Sequence, residues 1–241
     1  QTQEGVGRRK ATFEALNIAA GQHILDLGCG GGHLLKDLAL SVGVNGRVVG
    51  LDPSDKQIEA AQEYCKGLDN VSFNLDSAVK LSFEDNAFDA VASIQVLEYV
   101  KDVDSALAEI SRVIKPGGRL ATVSVLWDHW RFHGPDPVLN DRMHEAFKAH
   151  CFHQMLPLEM PKKLERHGFI GAQCTPMGFL NNSLHHNSFA YLASTLLTHF
   201  AEGQGISKED TERWRKELDE SEREGRFGFV SVPVLTTAIA K

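Results

Sequence analysis

The sequence predicts an α/β fold: a doubly wound, mostly parallel sheet wrapped by helices and covered by a helical cap. Three observations carry this. Short β-branched runs alternate with amphipathic stretches through the first 127 residues, the rhythm of parallel strands joined by crossover helices. A glycine-dense corner, "ILDLGCGGG" at 24–32, separates the first strand from the helix after it. From residue 128 the rhythm gives way to a polar, histidine-rich stretch.

Taken in order, "HILDL" (23–27) reads as the first strand, and "HLLKDLALSV" after the glycines has helical periodicity. "GRVVGLD" (46–52) is the second strand, and the helix at 54–67 follows with Ser54 as its N-cap. "VSFNLD" (71–76) and "FDAVASIQ" (88–95) are the third and fourth strands. The helix at 103–114 carries one apolar stripe: Val103, Ala106, Leu107, Ile110, Val113 and Ile114. "KPGG" then turns into the fifth strand, "RLATVSVLW" (119–127). Beyond it, helices are expected at 138–150 and 160–167, and a sixth strand at 171–177. Further helices at 187–201 and 207–223, the second opened by Ser207, precede a last strand at 227–240. The organisation expected is a core in 1–127 holding strands 1–5, completed by 161–177 and 226–241. Residues 128–160 and 178–225 form cap insertions that bind substrate.

Composition narrows the partners. The 241 residues are 42% hydrophobic and 24% charged, with a net charge of −7. This is an ordinary globular balance. An acidic surface repels phosphodiester backbones and anionic bilayers, so neither nucleic acid nor membrane is the expected partner. Cys29, Cys65, Cys151 and Cys174 are scattered without a CxxC pair. No leader or bilayer-spanning run is read, so reduced cysteines and a cytoplasmic location are expected. The sequence starts at Gln1 rather than Met, and the segment ahead of the first strand can carry lid residues.

The glycine corner can be tested against three ligand chemistries. A phosphate-binding P-loop needs GxxxxGK[ST], and no Gly-Lys pair follows Gly28. A dinucleotide fingerprint, GxGxxG, fits Gly28 and Gly30 but puts His33 where a third glycine lets helix and strand approach. The pattern present is Asp26-x-Gly28-x-Gly30-x-Gly32, with Cys29 a small filler. A carboxylate gains nothing beside a pyrophosphate but forms a charge-assisted hydrogen bond to an ammonium. The loop therefore suits a nucleoside with a cationic or zwitterionic tail. Asp52, Asp76 and Gln95 then fall at the carboxyl ends of strands two, three and four, where ligands sit in doubly wound sheets. Asp52 is placed to accept ribose hydroxyls, Asp76 to accept from an adenine amine, and Gln95 to stand over the crevice.

With these pieces assembled, the chain resembles the class I S-adenosylmethionine-dependent methyltransferases, particularly the small-molecule group that includes quinone-biosynthesis C-methyltransferases. The matching segments are "ILDLGCGGG", "VVGLDPS", "NLDSAVKLSFEDNAFDAVASIQVLEYVKD" and "VIKPGGRL", over roughly residues 8–125. The resemblance implies a Rossmann-like doubly wound seven-stranded mostly parallel sheet with an antiparallel last strand. It implies S-adenosyl-L-methionine as cofactor and S-adenosyl-L-homocysteine as product. Residue by residue, it puts Asp26, Gly28, Cys29, Gly30 and Gly32 around the methionine part and Asp52 on the ribose. It puts Pro53 and Ser54 beside the adenosine, Asp76 and Ser77 at the adenine, and Gln95 in the passage to the acceptor. Tyr99 departs from the histidine that many relatives carry after the glutamate. "SIQV" in place of [DN]-P-P-[YF] argues against amide or nucleobase-amine methylation.

The implied reaction moves a methyl group to an O, N or C nucleophile of a small molecule, mainly by proximity and alignment. A base is needed only where the acceptor must lose a proton. Most of the eleven histidines lie beyond residue 127. His129 and His133 in "WDHWRFHGPD" start nearest the crevice mouth and are the first candidates; His150, His153, His185 and His186 follow. No metal is expected, because Gly134 and Pro135 break the helix that His129 and His133 would need as paired ligands. Trp127, Trp130, Phe132 and Phe179 are candidates for an aromatic acceptor pocket. The alternatives are a protein of the same fold that binds the cofactor without methylating, and an NAD-dependent oxidoreductase. The expected partner is a small molecule, with a homodimer as the candidate assembly.

Overall fold

The computed structural model describes residues 2–241. It opens with α1 (Gln3–Leu16), a helix that the sequence pattern does not announce, because its buried residues are Arg8, Thr12 and Leu16. Thr2 caps it by accepting from Gly5 N. The expected alternation follows: β1 (His23–Leu27), α2 (His33–Val42), β2 (Arg47–Asp52), α3 (Asp55–Tyr64), β3 (Val71–Leu75) and β4 (Phe88–Ile94). Then come α4 (Val103–Val113) and β5 (Ile114–Val125). The α4 stripe is buried as its periodicity requires, and Asp102 caps the helix by accepting from Ser105 N.

The main sheet has seven strands in the order β3-β2-β1-β4-β5-β10-β7, where β7 is Phe169–Pro176 and β10 is Pro233–Ala240. β1 pairs in parallel with β2 and with β4, and β5 continues in parallel beside β4. Only β10 runs against its neighbours, antiparallel to both β5 and β7. Strand alternation divides the core between the sheet's two faces. Leu25 and Leu27 of β1 pack with Leu107 and Ile110 of α4 on one face. Ile24 packs with Leu16 of α1 and Leu35 and Leu38 of α2 on the other. Asp26 stands two residues from Ile24 and so lies on the face that α1 and α2 cover.

The cap is a second packed unit rather than helices alone. It contains α5 (Pro137–Phe147), α7 (Phe189–Gly203) and α8 (Lys208–Arg223). It also holds a three-stranded sheet, β6-β9-β8, from β6 (Arg131–His133), β8 (Phe179–Asn181) and β9 (Gly228–Ser231). The single last strand read at 227–240 is therefore two. Pro233, which has no N–H to donate, marks where the chain leaves the cap sheet and enters the main one. Between the cap segments, α6 (Leu156–Arg166) packs back on the main sheet, and starts earlier than the 160–167 read from the sequence.

Candidate functional site: a crevice at the strand ends

The chain reverses its winding between β1 and β4, and their carboxyl ends open a crevice there. Two cavities occupy it. One, about 260 Å³, is lined by Asp26, Gly28, Cys29, Gly30, Gly31 and Gln95 together with Gly5, Arg8 and Arg9 of α1. The other, about 370 Å³, lies on the β2–β3 side against Leu51, Pro53, Ser77, Ala78, Val96 and Tyr99. Gly28 belongs to both.

Local geometry explains the glycines. Gly28 has φ +73°, and a Cβ there would run into the Val96 side chain. Gly32 has φ +80°, and a Cβ would come within 3.1 Å of the Ala61 backbone and 3.2 Å of Cys65 Sγ. Gly32 thus allows α2 and α3 to pack closely, the job a third glycine does in dinucleotide loops, and it does not line the crevice. Asp52 ties the crevice together: Oδ2 accepts from Gly30 N at 3.0 Å and Oδ1 from Ser54 N at 3.0 Å. Each oxygen keeps a lone pair for a hydroxyl donor. Ser54 holds the N-cap position of α3, but its side chain makes no capping bond. Asp76 is half-buried and turned to its own loop, accepting from Ser77 N and from Ser82 Oγ at 2.6 Å. The Ser82 bond holds its pKa below the usual carboxylate range.

The crevice concentrates buried charge. Asp26 is almost wholly buried, its Oδ2 has no partner among the described residues, and burial, with Asp52 nearby, pushes its pKa up to about 7. Gln95 holds a left-handed backbone, φ 54°, unusual for a side-chain-bearing residue. Its N donates to Val123 O at 2.7 Å, and its Oε1 accepts from Arg8 Nη1 at 2.5 Å. Arg8 is 8% exposed, and burial lowers its pKa against the pull of Glu4 and Glu98. Glu98 is fully buried; Oε2 accepts from Ser124 Oγ at 2.8 Å while Oε1 has no partner among the described residues. Burial raises its pKa to about 7. The sequence reading missed Arg8, Arg9 and Glu98: "GRRK" carries no apolar period, and no spacing links it to the glycine loop.

The histidines separate clearly. His129 and His133 are exposed, and neither lines the crevice cavities. His185 and His186 are also exposed. His153 bonds through Nε2 to Val100 O at 3.0 Å. His150 is set apart by geometry: Nδ1 lies 2.6 Å from Phe147 O, so it carries the proton, and Nε2 is buried without a partner among the described residues. Its ring stands 5.8 Å from Tyr99, which lines the crevice, and burial lowers the imidazole's pKa against the bond to the Phe147 backbone. The aromatic pocket expected from Trp127, Trp130, Phe132 and Phe179 is instead largely a filled core. Phe132 is fully buried between Trp214 and Phe229, with ring centroids 5.1 and 4.5 Å away. Only Trp127 and Trp130 edge a side cavity of about 370 Å³, with His144 and Phe147. Among the described residues, no cluster of His, Cys, Asp and Glu is arranged to hold a metal ion. Among the described residues, no helix is long and apolar enough to cross a membrane.

Known proteins match this arrangement. A family model described as a methyltransferase domain matches residues 18–178. The chain is 38% identical to the O-methyltransferase resE of Aspergillus sclerotiorum over 56% of this chain and 50% of that one. It is 38% identical to a demethylmenaquinone methyltransferase of Lactobacillus johnsonii over 47% of this chain and 48% of that one. The chain spans about half the length of the curated relatives it matches. The geranyl diphosphate C-methyltransferase of Streptomyces coelicolor, crystallised with Mg2+, geranyl diphosphate and S-adenosyl-L-homocysteine, shares the fold. Its TM-score is 0.62 over 98% of this chain and 79% of that one, at 17% identity.

Proposed function

Because the chain belongs to the class I S-adenosylmethionine-dependent methyltransferases, we propose that it transfers a methyl group to an O, N or C nucleophile of a small-molecule acceptor. The observation that carries the reading is Asp26: a buried carboxylate with an unpartnered oxygen, facing a cavity walled by glycine backbone. Such a group is costly unless a ligand cation completes it. The amino-acid tail of S-adenosylmethionine supplies that cation, so the residues present fit the cofactor.

When bound, the cofactor supplies an electrophilic methyl on a sulfonium sulfur. The chain's part is alignment, which can contribute roughly 7–11 kcal/mol by fixing a nucleophile about 3 Å from the methyl. Asp26 accepts from the ammonium, and the backbone of Gly28–Gly31 leaves room for the tail. Asp52 accepts from the ribose hydroxyls while holding Gly30 and Ser54 in place. Pro53 and Ser77 wall the adenine side, and Asp76 shapes that turn through Ser77 and Ser82 rather than by contact. Gln95 stands between tail and acceptor. Where the acceptor must lose a proton, His150 is the base we favour over His129 and His133: like them it lines neither cavity, but its ring meets Tyr99, which lines the crevice, whereas theirs are exposed.

Titration calorimetry with S-adenosylhomocysteine and with NADH tests the cofactor; binding of NADH alone would overturn the reading. Turnover with methyl-labelled cofactor across phenol, amine, thiol and carbon-acid acceptors tests the transfer. Binding without transfer to any of them would favour the non-methylating alternative. With a phenolic acceptor, His150→Asn should lower turnover about 10²–10⁴-fold with cofactor affinity unchanged. His129→Ala and His133→Ala should leave turnover at the wild-type value.

A further inference from the structure

A methyl acceptor needs a surface to lie on beside the crevice, and one helix of the cap presents it. Resting on the methyltransferase reading above, we propose that the face of α7 bearing Phe189, Leu192, Leu196 and Phe200 is the wall that holds the acceptor. The acceptor is then an uncharged molecule with an extended hydrocarbon body.

The four residues follow one another at intervals of three, four and four, so they form one stripe along the helix, about 16 Å from end to end. Both ends of the stripe are fixed at the crevice. Phe189 lies 5.2 Å from the guanidinium carbon of Arg8, which lines the first cavity and bonds to Gln95. Phe200 meets Phe147 and His150, with ring centroids 5.6 and 6.2 Å away, and His150 stands against Tyr99 of the second cavity. Between these ends, Leu192 and Leu196 are 57% and 53% exposed. The other sides of α7 are already occupied. Ala190, Ala193, Leu197 and Ala201 fill the cap core, and Arg215 of α8 reaches Tyr191 and Thr195. Charge points the same way: α7 carries no Lys, Arg, Asp or Glu before Glu202, whereas α8 is charged at most of its positions. Scattered exposed leucines are ordinary, but these two lie between anchors that both border the site. Such a wall gains by taking hydrocarbon out of water and gives a charged body nothing in place of its hydration. An acceptor must come within about 3 Å of the methyl, so it enters where both ends of the stripe stand; a macromolecular partner has no such requirement.

The test is calorimetry on the full chain saturated with S-adenosylhomocysteine and titrated with phenol, 4-butylphenol and 4-octylphenol. Wild-type affinity should rise about 2-fold per added carbon, the response of a chain half covered by an apolar wall. The double variant Leu192→Gln, Leu196→Gln keeps good helix formers at both positions. It should flatten the series and weaken 4-octylphenol about 10-fold, with S-adenosylhomocysteine affinity and Tm as in wild type. Val138→Gln, at an exposed apolar position of the cap outside the stripe, should change nothing. A flat series in wild type would overturn the assignment, as would an undiminished one in the double variant or an equal loss in Val138→Gln. Loss of S-adenosylhomocysteine affinity in the double variant would overturn it too, since the stripe would then support the crevice instead. Sedimentation velocity checks the other occupant: a wild-type dimer that the double variant dissolves would give the stripe to a second copy of the chain. If S-adenosylhomocysteine does not bind wild type at all, the cofactor reading itself fails; if it binds and chain length has no effect, only the acceptor wall fails.

Discussion

The crevice and the cap are fixed by rules that act at different ranges along the chain. In the crevice, Gly28 at φ +73°, Asp52 bonded to Ser54 two residues on, and Gln95 at φ 54° are set by backbone geometry within a strand-to-helix corner. In the cap, Trp214 Nε1 donates to Asn140 Oδ1 at 2.9 Å across 74 residues, and Phe132 meets Phe229 from a distant strand. Local rules leave a recognisable spelling, and long-range packing leaves only a composition. The same contrast says how each region should fail. Damage to the crevice should register in ligand affinity, damage to the cap in stability.

The largest effect should come from Trp214→Ala. The ring is fully buried among Phe132 and its neighbours, and losing it together with its bond to Asn140 should cost about 3–5 kcal/mol. Urea unfolding measures the loss, while S-adenosylhomocysteine affinity should stay within a few-fold of wild type. A collapse of affinity would break the contrast, since the cap would then hold the crevice in shape. Gly28→Ala comes next. It forces an alanine to positive φ and a methyl onto Val96, worth about 2–4 kcal/mol, and its signature should be lost affinity before lost fold.

Glu98 probes the seam between the regions. Its main-chain O accepts from Phe152 N and His153 N, while its carboxyl stays under the end of β5 beside Ser124. Its folded pKa of about 7 is above its ordinary 4.5, so the folded state holds the extra proton. Its stabilising contribution is full below pH 4.5 and is lost as pH rises through 7. Glu98→Gln should therefore gain stability relative to wild type across that window and level off above it. Parallel pH dependences for the two proteins would place Glu98 in a wetter setting than its burial indicates. The smallest effect separates two serines. Ser207 caps α8 by accepting from Asp210 N, so Ser207→Ala should cost about 1 kcal/mol. Ser54→Ala should cost no more than about 0.5 kcal/mol, because its hydroxyl makes no capping bond. Equal melting temperatures for the two variants would erase the distinction.

How far the sequence could be read follows the same division. β1 to β4 and the helices between them stand where periodicity put them, because parallel strands buried on both faces are written as continuous apolar runs. β5, in contrast, begins at Ile114 rather than 119 and takes in the turn read at "KPGG". The spacing from Asp26 to Gly32 and the acid ending β2 were readable for the same reason. β6 and β8 are three residues each, too short for alternation to register, and β9 hides inside one apolar run with β10 until Pro233 is weighed. α1 escaped because its buried face is polar. His129 and His133 looked close to the crevice along the chain, yet a 3-10 turn and the short strand β6 leave both exposed. His150 enters beside Tyr99 from the far end of α5, a meeting that spacing does not encode.

The position of β10 has a bearing on how the molecule is made. It is the last described strand in the chain, yet it lies inside the sheet, between β5 and β7. During synthesis, β1 to β5 can assemble as soon as they emerge, but β5 keeps a bare edge and β7 has no neighbour until residues 233–240 arrive. For that interval the nascent chain carries two unpaired strand edges, each a template for pairing with another chain. One late segment both joins the sheet's two halves and anchors the cap sheet through β9. Emergence of residues 233–240, rather than the folding of either region, is then the event that commits the sheet to its finished form.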